Sequence, residues 1–391
     1  MTRFHFRRHC GLPVVAGAIG LLLPGLLNAQ WAVPEIPFDS VPNFLKLTDK
    51  TPLGEAAGVA TDSKKNVYVY TRTGSSFVSE GTSRAFESGG SRLFEFDQNG
   101  TFVREIGHNA YGFTFAHAVR VDPEDNIWVV DEGSNMIIKF NPQGRIVMTM
   151  GRKSENIRVP AAPAVPAPGP AMNIPGMNMG MMGGGPGPGR GGANANAAPN
   201  AALAPPVGTG APTDVFNRPT DVAWDAAGNI FIADGYGNSR VAKFDKEGRF
   251  IKSWGSKGNA PSQFSTLHSI ATDAEGNVYV GDRGNRRIQV FNNDGEFKTQ
   301  YLNVGAPWAI CISPGAHQYL FSSNSSGTGD MENGEIYKME LNGKIIGKFG
   351  TAGKLLKEFG STHELDCRSP NEIVVGEITN WRVQKLTLHS N

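Results

Sequence analysis

Along most of the chain, apolar and polar residues alternate in short runs that end at turn pairs such as Gly228-Asn229, Glu247-Gly248, Gly276-Asn277 and Asp294-Gly295. Period-two alternation bounded by Gly, Asn and Asp predicts short antiparallel strands joined by hairpins. The runs also recur as a block. Residues 219–255 read PTDVAWDAAGNIFIADGYGNSRVAKFDKEGRFIKSWG and residues 267–301 read LHSIATDAEGNVYVGDRGNRRIQVFNNDGEFKTQY. Residues 116–151 repeat the same pattern, and weaker copies begin near Ala57, at Pro307 and at His363, which makes six units. Four antiparallel strands per unit is the makeup of a propeller blade, so the pattern predicts an all-β, six-bladed β-propeller. The last unit stops after its third strand, at Leu386–Leu388, while the strand-like segment Asn43–Thr48 precedes the first. That N-terminal strand is expected to complete the sixth blade and close the ring, which removes the exposed sheet edges.

Two segments lie outside the repeats. Residues 1–29 carry a basic start (Arg3, Arg7, Arg8), an apolar stretch and a small residue, Ala29, before Gln30. This is the layout of a secretory signal peptide, with a twin-arginine signal as the weaker fit to Arg7-Arg8. The remainder, residues 30–391, is then an exported propeller, periplasmic or extracellular, with no membrane span after signal removal. Between the second and third units, residues 160–213 are rich in Pro, Gly, Ala and Asn, with Arg190 as their only charge. Such a segment cannot bury a core and is expected to be disordered. Its methionines, Met172, Met177, Met179, Met181 and Met182, have the soft sulfur that copper(I) prefers, but composition favours a plain flexible insert.

Composition narrows the function. Only 19% of residues are charged, and Gly 49 with Pro 25 excludes a helical bundle. Lys+Arg 37 against Asp+Glu 36 leaves no basic excess for a phosphate backbone, so nucleic acid is excluded as a partner. Cys10 leaves with the signal; Cys311 and Cys367 could form one disulfide or serve as buried apolar fillers, and are too few for a cysteine metal cage. A monomer is expected.

Aligning the innermost strands puts Ala57, His117, Thr220, His268, Trp308 and His363 in one register. Histidine thus occupies blades two, four and six, about 120° apart around the axis that these strands line. Three imidazoles converging on one point, with a fourth position open, is a catalytic zinc geometry. The competing reading is a set of channel-lining histidines. His108, His317 and His389 have no such register and are read as surface residues. In the turns after the second strands, Asp234, Asn238 and Arg240 recur as Asp282, Asn285 and Arg287, which marks them as fold-making. Tyr236, Arg283 and Arg72 do not recur. An arginine suits a carboxylate, and a tyrosine beside a metal and two cations is expected to have its pKa lowered enough to act as a base.

These residues carry a resemblance. The repeats resemble NHL repeats, and the run FNRPTDVAWDAAGNIFIADGYGNSRVAKF, with QFSTLHSIATD, VGDRGNRRIQVF and the later His363, resembles the peptidyl-α-hydroxyglycine α-amidating lyase family. The resemblance implies zinc on His117, His268 and His363, and catalytic roles for Tyr236, Arg283 and Arg72. It implies cleavage of a small peptide-like or N-acyl α-hydroxyglycine to an amide and glyoxylate. It also implies calcium as a structural ion, for which Glu364 here stands where animal members have Asp. Cysteines of the animal FCQP and DGYC stretches are Asn217 and Gly237 here. Two other readings are a non-catalytic exported propeller binding a protein or glycan, and a metal-dependent hydrolase on the same histidines.

Overall fold

The computed structural model describes residues 33–48, 52–73, 77–80, 84–87, 90–153, 215–325 and 333–389. The expected signal segment, 1–29, and the Met-rich insert, 160–213, lie outside them. Six four-stranded antiparallel sheets are arranged as blades, each listed from axis to rim. Blade one is Glu55–Thr61, Val67–Arg72, Ser91–Phe96 and Phe102–Ile106; blade two is Ala116–Val121, Ile127–Asp131, Met136–Phe140 and Ile146–Gly151. Blade three is Asp221–Trp224, Ile230–Asp234, Arg240–Phe244 and Phe250–Trp254; blade four is Leu267–Thr272, Val278–Asp282, Arg287–Phe291 and Phe297–Tyr301. Blade five is Pro307–Ile312, Tyr319–Asn324, Glu335–Glu340 and Ile345–Phe349; blade six is Thr362–Ser369, Glu372–Glu377 and Arg382–Leu388, with Phe38–Ser40 outermost. The inner strands pack side by side in chain order, and the sixth returns to the first. The molecule is an all-β six-bladed propeller.

An N-terminal strand does complete the sixth blade, but it is not the expected Asn43–Thr48. Phe38, Asp39 and Ser40 pair with Leu388, Thr387 and Leu386. Residues 43–48 run on to blade one, where the Lys46 amide donates to the Gly100 carbonyl at 2.7 Å. His389 adds to the seam through Asp39, 2.9 Å away.

Apolar residues between successive blades form six clusters. Ala57, Tyr70, Val119 and Phe140 join blades one and two; Val59, Val69, Val374 and Val383 join six and one. Second strands such as Ile127–Asp131 and Ile230–Asp234 are buried throughout, because a neighbouring blade covers each face. The outermost strands, such as Ile146–Gly151 and Phe250–Trp254, are mostly exposed or half-buried. The first hairpins are held by Asp62, Asp122, Asp225 and Asp273, each accepting the amide of the residue four further on at 2.8 Å. Among the described residues no helix is long and apolar enough to cross a membrane.

Cys311 and Cys367 form a disulfide between the inner strands of blades five and six, with Cα atoms 6.1 Å apart. It closes a segment of 56 residues, for which chain entropy gives about 4 kcal/mol. Replacing both cysteines by serine is expected to lower the unfolding temperature by roughly 10 °C. Calorimetric scans of the two proteins under non-reducing conditions check this, and an unchanged midpoint contradicts it.

Candidate functional site

Each axial residue is aimed by the same short device. Four residues before it stands a buried apolar anchor: Leu53, Phe113, Phe216, Phe264, Val304 and Phe359, ahead of Ala57, His117, Thr220, His268, Trp308 and His363. Between anchor and axial residue the chain turns, and the turn is pinned to the end of the second strand. Asp131, Asp234, Asp282 and Glu377 accept the amides of Thr114, Asn217, Ser265 and Gly360 at 2.8–2.9 Å. Asn238 and Arg240 saturate Asp234, and Asn285 and Arg287 saturate Asp282. The recurring turn residues are therefore fold-making. At the axial position the strand pairing skips a residue: Ala57, His117, His268 and His363 each fall at a bulge. A bulge leaves its extra residue outside the ladder and re-aims its side chain.

Three of those side chains meet. His117, His268 and His363 are buried, and the ligand atoms they offer all lie within 4.8 Å of one another. Their ring centroids are 4.6, 4.6 and 4.9 Å apart. The His268 Nδ1 lies 2.6 Å from the Trp308 carbonyl and the His363 Nδ1 2.6 Å from the Ala57 carbonyl, each on the axial residue of the next blade. His117 approaches the backbone of Thr220, the axial residue of blade three. That approach falls outside hydrogen-bond geometry, so neither of its buried ring nitrogens has a partner, and the buried Nε2 of His268 has none. Burial is the main reason that all three imidazoles sit well below the usual histidine range; their mutual repulsion and Arg72 and Arg283 add to it. They are neutral near pH 7, as metal ligands must be. Unpartnered buried nitrogens are costly, and backbone-anchored Nδ1 atoms are the usual support of an Nε2-ligating histidine. The donor set fits a zinc ion with an open position.

Tyr236 packs edge-on to His117 and His268, with ring centroids at 5.6 and 5.8 Å. Its neighbour Gly235 is forced: a Cβ there would run into the Leu267 carbonyl of blade four. Tyr236 therefore supplies the side chain that Gly235 cannot. Arg283 approaches the Tyr236 hydroxyl at 3.4 Å and lies over the Trp308 ring at 4.4 Å. Arg72 occupies the equivalent position in blade one, opposite blade four across the ring. Its Nε donates to the Ala116 carbonyl at 2.8 Å, its Nη1 meets Glu55 at 3.1 Å, and it lies over the Phe115 ring. All three expected residues thus surround the histidines. The expected lowering of the tyrosine pKa counts a bound metal among its causes; the chain's own groups alone act, on balance, in the other direction. Burial pushes the phenol up, and the pull of Arg283, Arg72 and Arg218 does not overcome it.

Sequence reasoning missed Arg218. This half-exposed arginine lies 4.6 Å from the centre of the Tyr236 ring, and Glu132 holds its guanidinium. The tyrosine is thereby flanked by two guanidiniums. A signal was available, since Arg218 lies two residues before an axial position, as Phe115 does. The expected calcium is a poorer fit. The Glu364 carboxylate meant for it is 2.5 Å from Nη2 of Arg120, already a cation.

Residues 216–365 match the family described as a 6-bladed beta-propeller. The peptidylglycine alpha-amidating monooxygenase of Rattus norvegicus is 26% identical over 359 residues, 86% of this chain and 30% of that protein. The peptidyl-alpha-hydroxyglycine alpha-amidating lyase 1 of Drosophila melanogaster is 24% identical over 303 residues, 71% of this chain and 45% of the fly protein. This chain is an NHL-type propeller resembling the amidating lyases. It spans only 30% and 45% of the lengths of those two relatives. A solved streptogramin B lyase covers 90% of this lyase-like propeller and 98% of its own chain at a TM-score of 0.50 and 13% identity, a likeness of fold alone.

Proposed function

We propose that the chain is an exported zinc-dependent lyase that splits the C–N bond of a peptidyl-α-hydroxyglycine, or a related N-acyl α-hydroxyglycine, into an amide and glyoxylate. The observation that carries this reading is the convergence of three neutral imidazoles, with unpartnered buried nitrogens, beside a tyrosine and an arginine free of any carboxylate among the described residues. Zinc on His117, His268 and His363 would supply a Lewis acid that makes the substrate's α-hydroxyl easier to deprotonate.

The remaining work falls to the chain's own groups. Arg283 has its guanidinium edge available for the substrate carboxylate, whereas Arg72 is already engaged by Ala116 and Glu55 and contributes mainly charge from the opposite side. The buried Tyr236 phenol is neutral, so it acts as a relay: it accepts the α-hydroxyl proton only as it gives up its own, while the C=O of glyoxylate forms. The C–N bonding pair goes to nitrogen, and the proton passes from Tyr236 to the departing amide. One proton leaves oxygen and one reaches nitrogen, so neither water nor a redox partner is consumed. Arg218 and Glu132 keep the Tyr236 ring at the angle this transfer needs.

Elemental analysis of the purified protein is expected to find about one zinc per chain, and the His117→Ala, His268→Ala double variant none. Zinc-loaded wild type is expected to release glyoxylate from α-hydroxyhippurate; zinc without glyoxylate rejects the lyase reading, and no zinc after reconstitution rejects the metal site as well. Tyr236→Phe should keep its zinc and lose about 10²–10³ in kcat. For Arg218→Gln we expect kcat to fall about tenfold with KM unchanged, and for Arg283→Gln a rise in KM. A KM effect for Arg218 instead would make it a substrate contact.

A further inference from the structure

Three residues beyond His117 on the same strand, Arg120 turns into the axis below the histidines. Its Nε donates to Asp221 Oδ1 at 2.9 Å and its Nη2 to Asp221 Oδ2 at 2.6 Å. Nη1 reaches the Leu365 carbonyl at 3.0 Å, Nη2 the Ile310 carbonyl at 3.3 Å, and Glu364 Oε1 is 2.5 Å from Nη2. Asp221 and Glu364 are buried, and Asp221 also accepts the Ile270 amide at 3.0 Å. One guanidinium therefore joins blades two, three, five and six, with blade four attached through Asp221. On its far side lies a cavity of about 360 Å³ whose lining includes Arg120, Trp224, Cys311 and Arg368 but none of the three histidines. Arg120 is the floor of the site.

Two carboxylates and two backbone carbonyls converging on one point form the hard oxygen set that suits calcium. Both Asp221 carboxylate oxygens and the Leu365 and Ile310 carbonyls accept from the Arg120 guanidinium, and Glu364 Oε1 forms an ion pair with it. We propose that Arg120 is a built-in axial cation, which takes the oxygen-lined place a divalent ion would fill and makes closure of the ring independent of calcium. A tethered guanidinium is present at full occupancy whatever the ion concentration outside, whereas a bound ion stabilises only as far as its concentration exceeds its Kd. The inference stands on the packing of the axis and does not rest on the proposed reaction.

The test is thermal unfolding of the full chain with one equivalent of zinc, in calcium-depleted buffer and with about 2 mM calcium, above the usual Kd of extracellular sites. Wild type is expected to show the same midpoint in both, and direct calcium titration to find no binding at the axis. Arg120→Ala leaves two buried carboxylates unpaired, so its midpoint should fall by roughly 10 °C without calcium and recover by at least about 3 °C with it. The Arg120→Ala, Glu364→Gln double variant should lose that recovery. A calcium-dependent midpoint in wild type that Glu364→Gln abolishes overturns the proposal, as does an Arg120→Ala protein that folds and ignores calcium. Should Arg120→Ala not fold, Arg120→Met preserves the bulk, and the wild-type titration decides independently.

Discussion

The geometry of the axis depends on one hydrogen bond, made once per blade in most of the ring: the amide at the start of an inner strand donating to a buried acid at the end of the second strand. A carboxylate in such a place is costly unless saturated. Asp234 shows how this is met, with the Asn217 amide, the Asn238 side chain and the Arg240 guanidinium all on it. The carboxylate needs the turn as much as the turn needs the carboxylate. Together with the apolar anchor four residues ahead of each axial position, this bond sets the height and direction at which four of the six side chains enter the axis. What those side chains are is then free to vary.

That freedom separates scaffold from chemistry. Blades two, four and six place histidine at the axial position, while Ala57, Thr220 and Trp308 stand between them. The intervening residues are not idle, because the carbonyls of Ala57 and Trp308 orient the rings of His363 and His268. Around the mouth, the equivalent position, at the end of the second strand or just after it, is Arg72 in blade one, Glu132 in blade two and Arg283 in blade four. In blade three the crowding of Gly235 by Leu267 moves the functional side chain one residue on, to Tyr236. A small steric constraint between two blades thus decides where the hydroxyl stands.

Much of this was legible because a repeat announces register. The six units, the axial alignment and the three histidines all follow from comparing the chain with itself, and Tyr236, Arg283 and Arg72 stood out by failing to repeat. The motif Phe-x-x-x-His, at Phe113–His117, Phe264–His268 and Phe359–His363, was also there to be read. Other features were not. The closing strand Phe38–Ser40 is three residues long and carries no alternation, whereas residues 43–48 look more like a strand but bind blade one. The pKa direction of Tyr236 turns on burial against three guanidiniums, a balance of distances that no spacing reveals. Arg120 reads in sequence as an ordinary polar residue of a strand, and only the convergence of six strands shows that it meets Asp221 and Glu364.

Charge along the axis has an order that bears on what can reach the histidines. At the mouth stand Arg283 and Arg72, with Arg218 beside Tyr236; next comes a layer of imidazoles kept neutral by burial and by those same cations; below lies Arg120 with its carboxylates. The Arg120 guanidinium lies between the imidazoles and the cavity on the far side, so the proposed substrate would approach past the arginines. Arg72 and Arg218 are each matched by a carboxylate, Glu55 and Glu132, whereas Arg283 meets none among the described residues. In the proposed reaction the substrate carboxylate would therefore be drawn to the Arg283 side of the opening and not to its centre. There it would lie beside Trp308 and the Tyr236 hydroxyl, both of which Arg283 approaches. On the proposed reading the floor supplied by Arg120 and the guanidinium of Arg283 would act together, one by limiting approach from below and the other by orienting the substrate carboxylate.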